Sequence, residues 1–415
     1  MTIEAKARSF IQELSGGVWT HPRSPFDETL SAALPPAKLR DTWKSLESSA
    51  GAFRSIAGGE VQSRDPIRVV SLTCKFERAA LVAKVSYDAH DRIAGLYFVP
   101  PLEAWTPPPY VRPGAFEERE VVVGTSPSLP GTLSIPKGTG RHPAIVLVHG
   151  SGPMDADETV GGVKTFKDLA WGLASHGVAV LRYTKRSRHS PMGIVTQKEE
   201  VLDGARDALE VLRHVPEMDS NRLFILGHSQ GGYLAPRIAQ QNPGLSGIII
   251  LAGSTRPLED SILEQLTYLA STDPNNVQLA SALDRAKRFK QTVEDPNLDM
   301  DQNVELPTGG HVQGAYFLDV RGYDPPAVAR SLSCRILVLQ GERDYQVTKN
   351  DFEGWKAALA GKPTVSFKSY PSLNHLFVRG EGASTPAEYQ RAGHVDEEVV
   401  KDVSNWVLHF ESAAL

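Results

Sequence analysis

The chain is poor in cysteine, with only Cys74 and Cys334 among 415 residues. Two thiols so far apart exclude a disulfide framework and suit a reducing compartment. Long apolar runs are missing too. None approaches the roughly 18 residues that a membrane helix needs, so no membrane association is expected. The N-terminus, MTIEAKARSFIQEL, places Glu4, Lys6 and Arg8 inside a helical pattern and has no apolar leader core. A cytoplasmic location is therefore expected, unless a leader has been removed. Positive charge is not in excess. The net charge is -5, and the densest basic cluster is Lys185-Arg186-Ser187-Arg188. Nucleic acid is not an expected partner. His-Glu-x-x-His and paired-cysteine patterns are absent, and His176, His189, His214, His311, His394 and His409 show no ligand spacing, so no catalytic metal is expected. The glycine-rich stretch near Gly150 lacks both G-K-[ST] and G-x-G-x-x-G, which excludes a phosphate loop and a dinucleotide site. No cofactor is expected, and no internal repeat is seen.

What remains fits a soluble globular protein, 41% hydrophobic and 22% charged. The length exceeds one ordinary core, so two domains are expected. Residues 1–112 read as a small α+β domain. Ile3, Ala7, Phe10, Ile11 and Leu14 recur at helical spacing, and Gly16-Gly17 ends that helix. Further helices are predicted over 29–34 and 37–48, the latter with Leu39, Trp43 and Leu46 on one face. Strand patterns follow at 67–74, 79–87 and 93–99, the last two joined by a turn at 88–92. His21 and His90 stand alone and carry no expected chemistry. The domain is expected to line a pocket or to pair protomers into a homo-oligomer. Pro100-Pro101 and Pro107-Pro108-Pro109 bracket a stiff linker.

From 113 to 415 strands alternate with helices, which predicts a mostly parallel sheet covered on both faces. Strands are expected at 118–123, 129–135, 142–148, 178–183, 223–227, 247–251, 335–340 and 364–370. Helices are expected over 165–176, 195–214, 350–359 and 395–410, the last with Val399, Val403, Trp406, Val407 and Phe410 on one side. The alternation stops between 251 and 335. Helical stretches at 261–270 and 277–293, and a turn-rich loop at 295–310, predict a cap over about 254–330 above the sheet's C-terminal edge.

The chemistry is expected at that edge. The apolar run Leu223-Phe224-Ile225-Leu226 ends in Gly227-His228-Ser229-Gln230-Gly231, and a helix follows. G-x-S-x-G between a buried strand and a helix is a nucleophile elbow. Its glycines let strand and helix approach, and the tight turn presents the Ser229 hydroxyl. A serine hydroxyl needs a base, and His375 lies in the loop after the last strand. The base needs a carboxylate to fix its tautomer. Asp344 follows the preceding strand and is preferred over Glu342, nearer the strand, and Asp351, inside the next helix. An oxyanion needs two backbone donors. Gln230 N–H is one. Ser151 N–H, with Gly152 as the neighbouring alternative, is the other. His149 is expected to hold its loop, and His228 to pack.

The segments HGSGPMDADE, RYTKR, LGHSQGGYLAPRIA, LVLQGERDYQVT and YPSLNHLF resemble bacterial α/β-hydrolase fold esterases. These carry a small N-terminal domain and are akin to the dienelactone hydrolase and acyl-CoA thioester hydrolase branches. The resemblance implies an α/β-hydrolase fold with a helical cap. It implies a carboxylesterase acting on short acyl esters through an acyl-enzyme, with Ser229, Asp344 and His375 matching the triad. The chain departs from that group at Thr184-Lys185-Arg186-Ser187, where Asp-Lys-Arg-Gly is common. Three other readings stand beside this one. A thioesterase or acyltransferase uses the same triad, a serine peptidase has a similar elbow, and a binding or scaffold protein could occupy the same fold.

Overall fold

The structure is a computed structural model, and it describes residues 1–20, 25–64, 67–101, 103–190, 193, 195–307 and 309–409. His21 and Phe410 lie outside the described residues. The chain forms two compact units, Met1–Leu102 and Glu103–Leu415. Residues after 102 bond into the second unit. Trp105 Nε1 donates to Asp168, the Tyr110 hydroxyl to the Val395 carbonyl, and Arg112 N–H to Ser175.

In the first unit three helices, Ile3–Ser15, Glu28–Ala33 and Pro36–Ala50, precede four strands: β1 (Phe53–Arg64), β2 (Ile67–Phe76), β3 (Ala80–Tyr87) and β4 (Ile93–Val99). The strands form one antiparallel meander in chain order. The first helix starts where the Thr2 side chain caps Ala5 N–H, and it buries Ala7, Phe10, Ile11 and Leu14. These pack with Leu39 and Trp43 on the alternate residues Val70, Leu72 and Cys74 of β2. The strand β1 was not expected from the sequence. Gly58-Gly59 and its bulges, between Phe53 and Ser55 and between Ile56 and Gly58, hide the two-residue alternation.

The second unit is built on eight strands: β5 (Phe116–Val123), β6 (Leu129–Pro136), β7 (His142–Val148), β8 (Ala179–Tyr183), β9 (Met218–His228), β10 (Gly247–Leu251), β11 (Arg335–Gly341) and β12 (Val365–Tyr370). Their spatial order is β12-β11-β10-β9-β7-β8-β6-β5. All neighbours are parallel except for β6, which runs antiparallel to both β5 and β8. Side chains alternate between two cores. Ile225, Ile248 and Ile250 face helices Asp203–His214, Gln230–Gln241 and Lys349–Ala358. Phe224, Leu226, Ile249 and Leu251 face helices Thr165–Ser175 and Glu397–Leu408. Covering both faces makes the central strands continuously apolar, as their sequences are.

Between β10 and β11 the chain leaves the sheet. Two helices, Leu258–Thr272 and Val277–Glu294, are followed by a ribbon of Asn303–Glu305 with His311–Gln313, then by short helices Gly314–Leu318 and Pro325–Ser331. Phe289, Val293, Leu298, Val304 and Phe317 give this cap its own small core. Cys74 and Cys334 are both free thiols. Among the described residues no helix is long and apolar enough to cross a membrane. Nor does any group of three or more His, Cys, Asp or Glu among them stand ready to hold a metal ion.

Candidate active site

The turn after β9 is strained. Ser229 has φ 53° and ψ -114°, a region that a residue with a Cβ enters at a cost of roughly 1–3 kcal/mol. Two backbone bonds hold it there: Ser229 N–H to the Leu251 carbonyl at 3.0 Å and Tyr233 N–H to the Ser229 carbonyl at 2.9 Å. The flanking glycines are required by contact. A Cβ on Gly227 would fall 2.1 Å from the Gly231 carbonyl oxygen, and one on Gly231 would fall 2.1 Å from that of Val148. Ser229 stays partly exposed while its neighbours on both sides are buried.

His375 and Asp344 come together at the same sheet edge. His375 Nδ1 lies 2.6 Å from Asp344 Oδ2, both residues being buried. Asp344 Oδ1 accepts from the N–H groups of Gln346 and Val347 at 2.7 and 3.0 Å, which fixes the carboxylate plane. With Nδ1–H given to the carboxylate, Nε2 keeps its lone pair. Gly341 lets the two loops meet, because a Cβ there would stand 2.5 Å from the Leu373 oxygen. Asn374 holds the histidine loop by accepting from Leu376 and Val378 N–H and donating to Glu388. The rival carboxylates point elsewhere. Glu342 takes Lys349 and Ser369, while Asp351 takes Ser254, Thr255 and Arg256. No hydrogen bond joins the Ser229 hydroxyl to the His375 ring among the described residues. The link between elbow and histidine loop runs through His228, whose Nε2 donates to the His375 carbonyl at 2.9 Å.

The loop after β7 passes beside the serine. A Cβ on Gly150 would lie 3.2 Å from Ser229 Cβ. Gly150 N–H is taken by Glu158 Oε1 at 2.6 Å. The next N–H groups, of Ser151 and Gly152, have no partner among the described residues. Gln230 opens a helix, so its N–H has no intrahelical acceptor. His149 is buried against Phe166 and Tyr183 and bonds the Asp155 carbonyl; burial pulls its pKa down to about 4, so it is neutral.

Two buried ion pairs back this site, and the sequence reading passed over both. Glu158 stands 3.0 Å from His228 Nδ1. His228 Nε2 faces a carbonyl and must carry a proton, and Nδ1 faces a carboxylate. Burial works against charge on His228, but the Glu158 carboxylate outweighs it and raises its pKa. Burial likewise opposes the charged form of Glu158, which the His228 cation nevertheless holds below the usual carboxylate range. The second pair is Lys185 and Glu200, 3.4 Å apart and 2% and 6% exposed. Both Glu158 and Lys185 lie in segments, HGSGPMDADE and RYTKR, that stand out as charged residues amid apolar strand ends. That was the available signal. Glu200 sits in a π-helical turn, Lys198–Leu202, that Gln197 immediately precedes, a distortion that recurs at functional sites.

Residues 145–397 match the family described as "Alpha/beta hydrolase family", and residues 7–96 match one described as "Protein of unknown function (DUF3887)". Esterase EstD of Thermotoga maritima is 37% identical over 412 residues, covering 98% of this chain and 95% of the relative. Among solved structures, Est1E from Butyrivibrio proteoclasticus covers 70% of this chain and 97% of its own at 15% identity, with a TM-score of 0.47. A putative dienelactone hydrolase from Klebsiella pneumoniae covers 71% and 100% at 20% identity, with a TM-score of 0.41. With one relative matching nearly end to end and the family match spanning the sheet from β7 to the last helix, the chain belongs to the alpha/beta hydrolase family.

Proposed function

We propose that this protein is a carboxylesterase that cleaves small ester substrates with short acyl groups, using Ser229, His375 and Asp344. The observation that carries the reading is the His375–Asp344 contact of 2.6 Å at the same sheet edge as a serine held at positive φ. Identity of 37% to an esterase along nearly the whole chain supports the substrate class.

The proximity of His375 to Asp344 and the strained Ser229 turn support the following steps. His375 Nε2 takes the Ser229 proton as Oγ attacks the ester carbonyl. The imidazolium that forms is stabilised by the Asp344 carboxylate. The N–H groups of Ser151 and Gln230 hold the oxyanion. His375 gives its proton to the departing alcohol, leaving an acyl group on Ser229. Water then attacks the acyl carbonyl as His375 takes its proton, and His375 returns that proton to the Ser229 oxygen as the acid departs. The cap supports the short-acyl preference. Leu266, Tyr268 and Leu269 pack on Tyr345 and Leu376, the neighbours of Asp344 and His375, and the Tyr268 and Tyr345 rings stack at 5.4 Å. We read this apolar bulk beside the triad loops as a limit on the space for an acyl chain.

The test is hydrolysis of p-nitrophenyl esters from acetate to decanoate by wild type and Ser229→Ala. Turnover that peaks at short chains and is lost in Ser229→Ala is expected. Turnover that survives the substitution, or a wild type that neither hydrolyses any ester nor labels with a fluorophosphonate, would sink the reading.

A further inference from the structure

The Ser151 N–H belongs to the Gly150–Ser151 peptide, and the carbonyl of that same peptide accepts from the Lys185 ammonium at 2.8 Å. The peptide is trans, so its C=O and N–H point in opposite directions in one plane. Fixing the carbonyl therefore fixes the direction of the N–H. The preceding N–H, of Gly150, is fixed by Glu158. The loop has little freedom left to turn the Ser151 donor away.

Lys185 makes a second bond, to Gln230 Oε1 at 2.8 Å. Gln230 supplies the other proposed oxyanion donor. Its side-chain amide is held in turn by the Tyr316 hydroxyl at 2.7 Å and by Gln197 at 3.2 Å. Tyr316 donates to Glu200, which balances the Lys185 charge. One buried ammonium thus holds the peptide that carries the Ser151 N–H, through the Gly150 carbonyl, and the side chain of Gln230. Burying an ammonium is costly unless it is paired. A lysine kept only for packing would be better replaced by an apolar side chain. This one spends its hydrogen bonds on a neutral carbonyl and a neutral amide beside the nucleophile. A cation on a carbonyl oxygen also polarises the amide and makes its N–H a stronger donor.

We propose that Lys185 is a positioning residue for the oxyanion hole: it fixes and polarises the Gly150–Ser151 peptide, so that the Ser151 N–H meets the oxyanion formed on Ser229. The inference rests on the ester-hydrolysis reading above. The experiment compares wild type, Ser229→Ala, Lys185→Met and Lys185→Gln. It measures kcat and KM on p-nitrophenyl butyrate, inhibition by an alkyl trifluoromethyl ketone, and the thermal midpoint. The ketone adds the Ser229 oxygen to its carbonyl carbon, the hydroxyl proton passes to His375, and the former carbonyl oxygen becomes an alkoxide in the oxyanion hole. Lys185→Met is expected to lose about 100-fold in kcat, with KM within about threefold and ketone affinity falling in parallel. Lys185→Gln still offers a neutral hydrogen bond to Gly150, and is expected to lose about tenfold. If the methionine variant does not fold, the glutamine variant gives the same reading. A lowered midpoint with kcat and ketone affinity within threefold of wild type overturns the proposal. Full turnover in Ser229→Ala overturns both readings. An inactive Ser229→Ala beside Lys185 variants at wild-type rates overturns this one alone.

Discussion

Asp344 and Asp351 are both buried carboxylates near the C-terminal end of β11, and their partners separate their tasks. Asp344 accepts from two backbone N–H groups on one oxygen and faces His375 with the other. The fold needs its shape, while the proposed reaction needs its charge and acceptor capacity. Asp344→Asn keeps the shape, but its amide cannot hold the His375 tautomer or stabilise an imidazolium. Its kcat on p-nitrophenyl butyrate is expected to fall roughly a thousandfold or more, with KM and thermal midpoint close to wild type. A variant retaining more than a tenth of the wild-type kcat would remove Asp344 from the triad. The same logic separates His149 from His375. Both are buried, but His149 bonds a carbonyl and packs between aromatic rings, an environment that keeps an imidazole neutral and idle.

At the scale of elements, Asp351 pins the root of the cap to the helix Lys349–Ala358. It accepts from Ser254 Oγ at 3.1 Å, Thr255 N–H at 2.9 Å and Arg256 Nη2 at 2.7 Å, and is itself fully buried. Asp351→Ala leaves Thr255 N–H and hydroxyl without their acceptor and takes a buried partner from Arg256, which keeps Glu264, at the point where the chain turns from β10 into the cap. A loss of about 3 kcal/mol is expected in urea denaturation, with kcat within about threefold of wild type. Unchanged stability would mean that the cap is held elsewhere. Together the two aspartates show what the sequence could convey. The elbow was legible because its strand, turn and helix are consecutive residues with one steric demand. The Asp344 and His375 loops were legible because each ends a strand of the same sheet. The helices Leu258–Thr272 and Val277–Glu294 were legible as helical, charged stretches at 261–270 and 277–293. The strand Phe53–Arg64 did not, because glycines and bulges broke its alternation. The ring of Lys185, Gln230, Tyr316 and Glu200 was hidden for another reason. Its members come from four separate stretches, and no local pattern announces that a buried lysine will meet a glutamate from a π-helical turn.

At the scale of the whole molecule, the proline-rich segment reads as a linker, yet its side chains behave as part of the second unit. Trp105 packs edge-on against Trp171 at 5.1 Å, with the Lys167 ammonium 4.6 Å from its ring centre. Its Nε1–H reaches Asp168, a buried carboxylate that also accepts Val395 N–H. Val111 joins Phe116 and Ala174 in a small cluster of its own. Prolines stiffen the path between these anchors, which lowers the entropy lost when they dock. Residues 103–112 therefore act as a strap laid over the helix Thr165–Ser175, and cutting at 113 would strip it off. The truncated chain 103–415 is expected to melt on the order of 5–10 °C above 113–415, because removing Trp105, Tyr110 and Val111 uncovers apolar surface and takes one of its partners from the buried Asp168 carboxylate. Equal melting temperatures would show that the strap adds nothing and that the linker reading of the prolines was sufficient. The first unit has its own core around Phe10, Trp43 and Leu72, so residues 1–102 are expected to give a separate cooperative transition by circular dichroism. The strap belongs with the second core: Trp105 bonds Asp168 ahead of the first strand of the sheet, which starts at Phe116.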